Sequence, residues 1–569
     1  MHATTRRPAA ALTLLLAAAA AAQAAPAPPP KLVVVLVVDQ MRGDYIERYG
    51  SQWTGGLRRL VDEGAWFRRA AYPYAGTVTC AGHATISTGA FPFTHGIVGN
   101  AWFDRAAGQG TACTTDIDAR TVSYGGPVAT GNSPGRLLVP TLADELRSQS
   151  PIPGRVVTFS IKERTAIMLA GHRADAASWF SATAGTFVTS SVYTEKPVPF
   201  VAAALAARPV SADYGKTWSR TLPAERYLYA DDGIGEKPGS YWTASFPHEL
   251  KGAAGAPDAQ FYDAWTTSPF ADDYVGYLAV AAIDALKLGQ GRSTDFLGVS
   301  FSALDAVGHD FGPTSHEVQD LLIRVDRTIG ALLAHLDRTV GPGQYVVALA
   351  ADHGAPPIPE QAAGLGLDAG RLDIMALRKA ALAALETALG TGQYAIRLQG
   401  GDLILDPPVI EKLRRNPAAI DAVLGAIRSV RGVAAAYFAD DLESHAAAGD
   451  PLARAALLSY YPGRSGDIIV VPRPYWLFVM ADGTPQPGSA TSHGTAYGYD
   501  QHVPVILFGA GIKPGEYLTA ASPADIAPTL ALLCGVTLPR ADGTVLVDAL
   551  ASAGPQKPSV VKPAVAPRR

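Results

Sequence analysis

Residues 31–39 read KLVVVLVVD, and this stretch decides the fold class of the chain. Seven consecutive apolar residues, Leu32 to Val38, lead directly into Asp39. A continuous Val/Leu run of this kind is typical of a strand buried on both faces, as the strands of parallel sheets are. Sheets of this type bind ligands at the carboxyl ends of their strands, so Asp39 is the first candidate site residue.

The same pattern, an apolar run beside polar side chains, recurs three times. The recurrences are residues 296–301 before Asp305, residues 345–351 before Asp352 and His353, and residues 503–508 after His493. Helical periodicity lies between such runs, as in residues 56–64. Strands that alternate with helices predict an α/β fold, with a mostly parallel central sheet flanked by helices on both faces.

Composition along the chain predicts a signal peptide, one large catalytic domain with insertions, and a C-terminal tail. A basic start, an apolar run over residues 9–22 and small residues near Ala24 predict a cleavable signal peptide over residues 1–24, hence a periplasmic or secreted protein. A membrane anchor is the alternative, but the apolar run is shorter than the ~20 residues needed to span a bilayer. We expect a single domain over residues 31–550, cap-forming insertions at about 170–275 and 360–485, and a disordered tail over residues 551–569.

The charge and the cysteine content limit the possible partners. The formal net charge is −4, and no cluster of lysines and arginines lies on a motif, so we expect no obligate nucleic-acid partner. No segment after the apolar run near the start is apolar for long enough to span a bilayer, so we expect no membrane partner. Of the three cysteines, Cys80 and Cys113 are the candidate disulfide pair in an exported protein. The odd count leaves at least one thiol free or paired between chains.

Six carboxylate and imidazole side chains near the predicted strands form a candidate two-metal site. They are Asp39, Asp305, His309, Asp352, His353 and His493. Asp305 and His309 are four residues apart, which places both on one face of a helical turn. Taken alone, Asp305 with His309, or Asp352 with His353, could be a pair without a metal, and His493 could be a surface histidine. Three aspartates and three histidines together match two zinc ions with mixed nitrogen and oxygen ligands.

Thr79 is the candidate nucleophile, because residues 80–86 can start a helix directly after it. The field at a helix N-terminus stabilises both an alkoxide and a bound phosphate. A nearby zinc ion lowers the pKa of a hydroxyl further. The alternatives are that Thr79 only caps the helix, or that the neighbouring Cys80 is the nucleophile, although a thiolate is poorly suited to phosphoryl turnover beside zinc.

The motifs together resemble those of the alkaline phosphatase superfamily, in particular its monomeric, threonine-nucleophile bacterial alkaline phosphatases. The motifs are Val37-Val38-Asp39-Gln40-Met41-Arg42, Thr79-Cys80-Ala81-Gly82-His83, Asp305-Ala306-Val307-Gly308-His309, Ala351-Asp352-His353-Gly354 and Ser492-His493-Gly494. The resemblance implies that one zinc binds Asp305, His309 and His493. It implies that the other binds Asp39, Asp352 and His353 and touches Thr79. It also implies a monomer, and we expect no essential magnesium because no third metal site can be placed.

The resemblance also implies the reaction class. Asn100 is similar to an amide donor that diesterases and monoesterases of this superfamily share. Lys162 and Arg164 are similar to the Lys-x-Arg element of the threonine-type monoesterases, and two extra cations suit the additional negative charge of a monoester dianion. We therefore expect zinc-dependent hydrolysis of phosphate monoesters through a phosphothreonine intermediate, with broad specificity and an alkaline optimum. The alternatives are a phosphodiesterase or nucleotide pyrophosphatase, and a non-catalytic exported metal-binding protein.

Overall fold

The computed structural model describes residues 28–551, except residues 127, 129, 130 and 480–488. The predicted signal peptide, and all of the predicted C-terminal tail except Ala551, lie outside the described residues. None of the helices in the described part of the chain is both long and apolar enough to cross a bilayer.

The described residues contain twenty strands, nineteen α-helices and six short 3₁₀ helices. The strands are β1 Leu32–Val38, β2 Ala65–Phe67, β3 Ala101–Asp104, β4 Gln109–Ala112, β5 Thr121–Ser123, β6 Val156–Ser160, β7 Ala176–Ser181, β8 Thr186–Ser190, β9 Thr217–Trp218, β10 His248–Glu249, β11 Asp295–Phe301, β12 Tyr345–Ala350, β13 Gly370–Asp373, β14 Ile396–Gln399, β15 Asp402–Leu405, β16 Val433–Phe438, β17 Ile468–Pro472, β18 Trp476–Val479, β19 Val505–Gly509 and β20 Gly515–Tyr517. The helices are α1 Tyr45–Tyr49, α2 Gly56–Glu63, α3 Thr79–Thr88, α4 Pro92–His95, α5 Leu142–Gln149, α6 Glu163–Ala170, α7 Pro199–Ala207, α8 Ala259–Thr266, α9 Pro269–Leu286, α10 Ala303–Phe311, α11 His316–Thr339, α12 Pro359–Gly364, α13 Ile374–Leu389, α14 Pro407–Arg414, α15 Pro417–Arg428, α16 Leu442–Ala447, α17 Pro451–Ser459, α18 Gly498–Gln501 and α19 Ile526–Cys534.

A ten-stranded sheet forms the centre of the fold, in the order β20-β2-β19-β12-β1-β11-β6-β7-β8-β5. The five strands from β12 to β7 are mutually parallel. β19 pairs antiparallel with β12, and β8 and β5 continue the other side antiparallel. The predicted fold class is confirmed, and the sheet is mixed towards its edges.

β1 lies in the middle of this sheet with both faces covered. Leu32, Val34, Leu36 and Val38 belong to the hydrophobic core on one face, and the alternate valines belong to the core on the other. All seven side chains are buried. This burial explains why the run has no polar alternation, and it makes the carboxyl end of β1 the natural place for Asp39.

The two segments predicted as insertions differ in architecture. The range 170–275 begins with β7 and β8, which extend the central sheet. The range 360–485 contains a separate four-stranded sheet, β14-β15-β17-β16, with helices α13 to α15 packed on its own hydrophobic core. The predicted helix at residues 374–389 is confirmed as α13.

A buried histidine–carboxyl pair joins β10 to α11. His248 Nε2 lies 2.8 Å from Glu317 Oε1, and both side chains are fully buried. Burial raises the pKa of Glu317 to about 9 and lowers the pKa of His248 to about 4. Both groups are therefore uncharged at neutral pH, and the carboxyl O–H donates to the imidazole.

Glu317→Gln should flatten the loss of thermal stability at alkaline pH. A carboxyl whose pKa is raised by folding contributes stability below its unfolded pKa and loses that contribution as pH rises through about 9. The amide of glutamine keeps a donor to His248 but does not titrate. Melting temperatures at pH 6 and pH 9 should therefore converge in the variant. Glu225→Gln, at an exposed position, is the matched control, and an unchanged pH dependence in Glu317→Gln would refute the buried neutral carboxyl.

Candidate active site

Neighbouring parallel strands bring the predicted site residues to one edge of the sheet. In spatial order β12, β1, β11 and β6 lie side by side, so their carboxyl ends meet. The chain places Asp352 and His353 after β12, Asp39 after β1, Asp305 and His309 on α10 after β11, and Lys162 and Arg164 after β6. His493 comes from the loop before α18.

The first candidate metal group consists of Asp305, His309 and His493, whose ligand atoms lie within 4.8 Å of one another. Asp305 Oδ1 is 3.3 Å from His309 Nε2 and 3.5 Å from His493 Nε2. The spacing of four residues on α10 places Asp305 and His309 on one face, as the sequence predicts. This is the set that the resemblance assigns to one zinc.

The second candidate group consists of Asp39, Asp305 and His353, so Asp305 is common to both groups. His353 Nε2 lies 3.5 Å from Asp39 Oδ1 and 3.4 Å from Asp352 Oδ2. The resemblance assigns Asp352, and not Asp305, to this zinc. The Lys162 ammonium also lies between Asp39 and Asp305 and contacts both carboxylates.

All three histidines present the same nitrogen to the centre. Each Nδ1 lies 2.9 to 3.0 Å from a backbone carbonyl, of Thr491 for His309, of Gly354 for His353 and of Thr77 for His493. A carbonyl only accepts, so each Nδ1 carries the proton and each Nε2 keeps a free lone pair. This is the orientation that metal-binding histidines adopt.

The electrostatics of the centre favour cation binding. Burial, together with Asp305 and Asp352, raises the pKa of Asp39 well above its usual value. Burial also opposes ionisation of Asp305, but the neighbouring Lys162 ammonium favours the carboxylate and that pKa lies well below its usual range. Burial lowers the pKa of both His353 and His493, so these imidazoles are neutral at physiological pH, as metal ligands must be.

Two further observations indicate that these residues are suited to bind zinc ions. Ligand atoms at about 2.0–2.2 Å from a tetrahedral zinc are separated by about 3.3–3.6 Å, and the four nitrogen–oxygen distances above are 3.3 to 3.5 Å. Asp39 Oδ1 and Asp352 Oδ2 are buried and accept no hydrogen bond from any described residue. A buried carboxylate oxygen without a donor is costly unless a cation compensates it.

Thr79 is the first residue of α3, and Val78 is its N-cap. Its hydroxyl Oγ1 lies 3.4 Å from His353 Nε2, and the residue is almost completely buried. The hydroxyl therefore lies at the positive end of a ten-residue helix beside the second candidate metal group. The capping alternative does not describe this geometry, because the N-cap position is occupied by Val78 and Thr79 is the first residue within the helix.

Cys80 and Cys113 form a disulfide, which confirms the candidate pair. The bond removes Cys80 as an alternative nucleophile, because a disulfide sulfur has no thiolate. The backbone N–H of Cys80 donates to Asn100 Oδ1 at 2.8 Å. Asn100 is thereby placed next to the first turn of α3 and beside Thr79.

Lys162 and Arg164 lie at the start of α6, on the β6 side of the centre. Lys162 Nζ is 2.7 Å from Asp39 Oδ2 and also contacts Asp305. Arg164 contacts Glu163 at 3.4 Å, while its Nε is buried without a hydrogen-bond partner among the described residues. The guanidinium thus keeps a donor for a further ligand.

Two residues of the centre had no role in the sequence interpretation. Gln40 donates its backbone N–H to Asp352 Oδ1 at 3.1 Å and its side-chain amide to Asp305 Oδ1 at 2.7 Å. It does so in a left-handed conformation, φ 68°, which is uncommon outside glycine. His83 donates Nδ1–H to the carbonyl of Thr79 at 2.9 Å and lies 3.2 Å from Asp352 Oδ2. Both lie inside the quoted motifs, but only the fold shows what they touch.

Comparison with known proteins identifies relatives over most of the chain. Residues 33–500 match the model of the type I phosphodiesterase / nucleotide pyrophosphatase family. A Myroides odoratus protein named calcium-transporting ATPase is 33% identical over 90% of this chain and 93% of its own. Alkaline phosphatase PhoV of Synechococcus elongatus is 32% identical over 90% of this chain and 92% of its own.

A solved structure extends the likeness to the fold. Alkaline phosphatase PafA of Elizabethkingia meningoseptica is 32% identical over 88% of this chain and 91% of its own. Its crystal structure superposes with a TM-score of 0.82, covering 92% of this chain and 100% of that chain at 30% identity. The chain therefore belongs to the type I phosphodiesterase / nucleotide pyrophosphatase family, within the alkaline phosphatase superfamily.

Proposed function

We propose that this chain is a zinc-dependent phosphomonoesterase that releases inorganic phosphate through a phosphothreonine formed on Thr79. Relatives named alkaline phosphatases, at 32% identity over about nine-tenths of the chain, support hydrolysis of phosphate monoesters. Two groups of zinc-compatible ligands beside a hydroxyl at a helix N-terminus support the finer statement.

In the proposed reaction Thr79 Oγ1 attacks phosphorus in line while the bond to the leaving oxygen breaks, and the proton of the hydroxyl ends on the leaving alcohol. Zinc ions bound by the two ligand groups would supply Lewis acidity towards the hydroxyl and the leaving alkoxide. The N-terminus of α3 favours the negative charge that develops there. Asn100, Lys162 and Arg164 hold the non-bridging oxygens. Water then cleaves the phosphothreonine, which releases phosphate and restores the Thr79 hydroxyl.

The position of Lys162 is the observation that favours phosphate monoesters over diesters as substrates. Its ammonium lies within the centre, in contact with both Asp39 and Asp305, and Arg164 follows on the same helix start. A monoester dianion carries one more negative charge than a diester, and these two cations neutralise it. A diester would have to place its second ester group against the same cations.

The second candidate, a phosphodiesterase or nucleotide pyrophosphatase, is favoured by the description of the matching family. Zinc-loaded protein should be assayed on an aryl phosphate monoester and the matching diester at several pH values. We expect kcat/KM for the monoester to exceed that for the diester by at least about 100-fold. A reversed order would establish the diesterase, and two bound zinc ions without hydrolysis of either ester would indicate the non-catalytic alternative.

Lys162→Ala and Arg164→Ala should each lower kcat/KM for the monoester by about 10²- to 10³-fold and change diester hydrolysis far less. The reason is that only the monoester presents the additional anionic oxygen. Arg173→Ala, which removes an exposed arginine near the end of the same helix, should leave both rates unchanged. Equal losses on both substrates would show that the two cations do not bind the phosphoryl oxygens.

The remaining expectations belong to the same proposal. They are broad specificity among monoesters, activity that increases towards alkaline pH, a monomeric enzyme with two zinc ions, and export to the periplasm or beyond.

A further inference from the structure

The Cys80–Cys113 disulfide joins the two parts of the chain that carry Thr79 and Asn100. Cys80 is the second residue of α3, directly after Thr79. Cys113 directly follows β4, in a hairpin whose first strand, β3, directly follows Asn100. Both cysteines are buried, with exposures of 0% and 1%.

Each cysteine of this bond also holds Asn100 by a hydrogen bond. The backbone N–H of Cys80 donates to the side-chain Oδ1 of Asn100 at 2.8 Å. The backbone N–H of Cys113 donates to the backbone carbonyl of Asn100 at 2.9 Å. The disulfide thus fixes the distance between Cys80, which binds the side chain of Asn100, and Cys113, which binds its backbone.

This arrangement decides which end of the Asn100 amide is free. A backbone N–H can only donate, so the oxygen of the side chain must face Cys80 and the NH₂ group must face away. Asn100 Nδ2 makes no hydrogen bond to any residue in the described part of the chain. It remains available to donate to an anionic oxygen.

The other contacts of the hairpin are non-covalent. Phe103 N–H donates to Gln399 Oε1 at 2.7 Å, and Arg105 contacts Asp467 at 3.0 Å. Gln399 is the last residue of β14, and Asp467 directly precedes β17. Trp102 of β3 packs in the same hydrophobic cluster as Cys80 and Ala84 of α3. A single neutral hydrogen bond is a weak constraint on a side chain, and the disulfide adds a covalent link between the hairpin and the helix.

We propose that the Cys80–Cys113 disulfide is a positioning element for phosphoryl recognition, which keeps Asn100 Nδ2 directed at the phosphoryl group attached to or approaching Thr79. The cysteines act through Asn100 and do not touch substrate. The inference rests on the proposed function, because it assumes that a phosphoryl group binds beside Thr79.

The test is a double-mutant cycle on zinc-loaded protein. Cys80→Ala/Cys113→Ala should lower kcat/KM for an aryl phosphate monoester by about tenfold when Asn100 is present, and by less than about twofold in an Asn100→Ala background. Cys80→Ala/Cys113→Val, which refills more of the buried volume, should behave in the same way if the first pair folds poorly. Equal losses with and without Asn100 would show a purely structural disulfide and overturn the proposal.

Binding of inorganic phosphate separates this inference from the proposed function. Calorimetric affinity, measured in the same set of proteins, needs no turnover and should weaken in the cysteine variants only when Asn100 is present. Gln399→Ala, which removes the hydrogen bond from Phe103 N–H and so one of the hairpin's other attachments, should leave phosphate affinity within about twofold of wild type. If the cysteine variants weaken phosphate binding only when Asn100 is present but the wild-type enzyme hydrolyses no monoester, the proposed monoesterase function is refuted and the positioning role is not. If the wild-type enzyme hydrolyses the monoester but the weakening does not depend on Asn100, the positioning role is refuted and the monoesterase function is not.

Discussion

Thr79→Ala is expected to lower kcat for a phosphate monoester by at least about 10³-fold, because it removes the atom that accepts the phosphoryl group. The hydroxyl lies at the N-terminus of α3 and 3.4 Å from His353 Nε2. The disulfide occupies the neighbouring sulfur, so Cys80 cannot substitute as a nucleophile. Thr79→Ser is the matched control, since it keeps the hydroxyl and should retain activity within about tenfold of wild type.

Three measurements decide whether the loss is chemical. Zinc content and melting temperature should match wild type in Thr79→Ala, since the six carboxylate and imidazole groups remain. Acid-quenched wild-type enzyme should carry one phosphoryl group on the peptide that contains Thr79, and the alanine variant should carry none. Near-normal turnover by Thr79→Ala would refute the covalent route and leave direct attack by water.

The strands at the centre of the sheet were predictable because burial on both faces leaves a distinct sequence pattern. β1, β11 and β12 were each predicted within a residue of their observed bounds, from runs that are continuously apolar in β1 and mostly apolar in β11 and β12. The direction of β19 was not predictable, because an apolar run has no polarity and reads the same in a parallel or an antiparallel strand. β7 and β8 were predicted as part of an insertion, since their polar and aromatic residues lack the continuous apolar pattern.

The site was predictable to the extent that its residues follow strands. Asp39, Asp352 and His353 lie at the ends of adjacent strands, and the spacing of Asp305 and His309 follows from one helical turn. Gln40 was not predictable, because its left-handed backbone and its two hydrogen bonds arise only when three strand ends meet. Nor does the sequence show that a carbonyl 416 residues away, that of Thr77, orients His493.

Asp305→Asn is expected to reduce zinc content below one ion per chain and kcat/KM by more than about 10³-fold. The reason is that Asp305 belongs to both candidate groups, whereas His309 and His353 each belong to one. An amide has no charge to offset a divalent cation, although it has nearly the same shape as the carboxylate. Elemental analysis after dialysis against limiting zinc, alongside steady-state kinetics, measures both effects.

His309→Ala is the comparison that tests whether Asp305 is shared by both metal groups. It should lose one zinc and keep the other, because the group of Asp39, Asp305 and His353 stays complete. Asp310→Asn, at the next position on α10 and outside both groups, should keep two. If Asp305→Asn also lost a single zinc, the second ion would depend on Asp352 instead. The closeness of Asp39 and Asp305 would then be a consequence of the Lys162 bridge alone, and the chemistry of the centre would have to be divided between two independent sites.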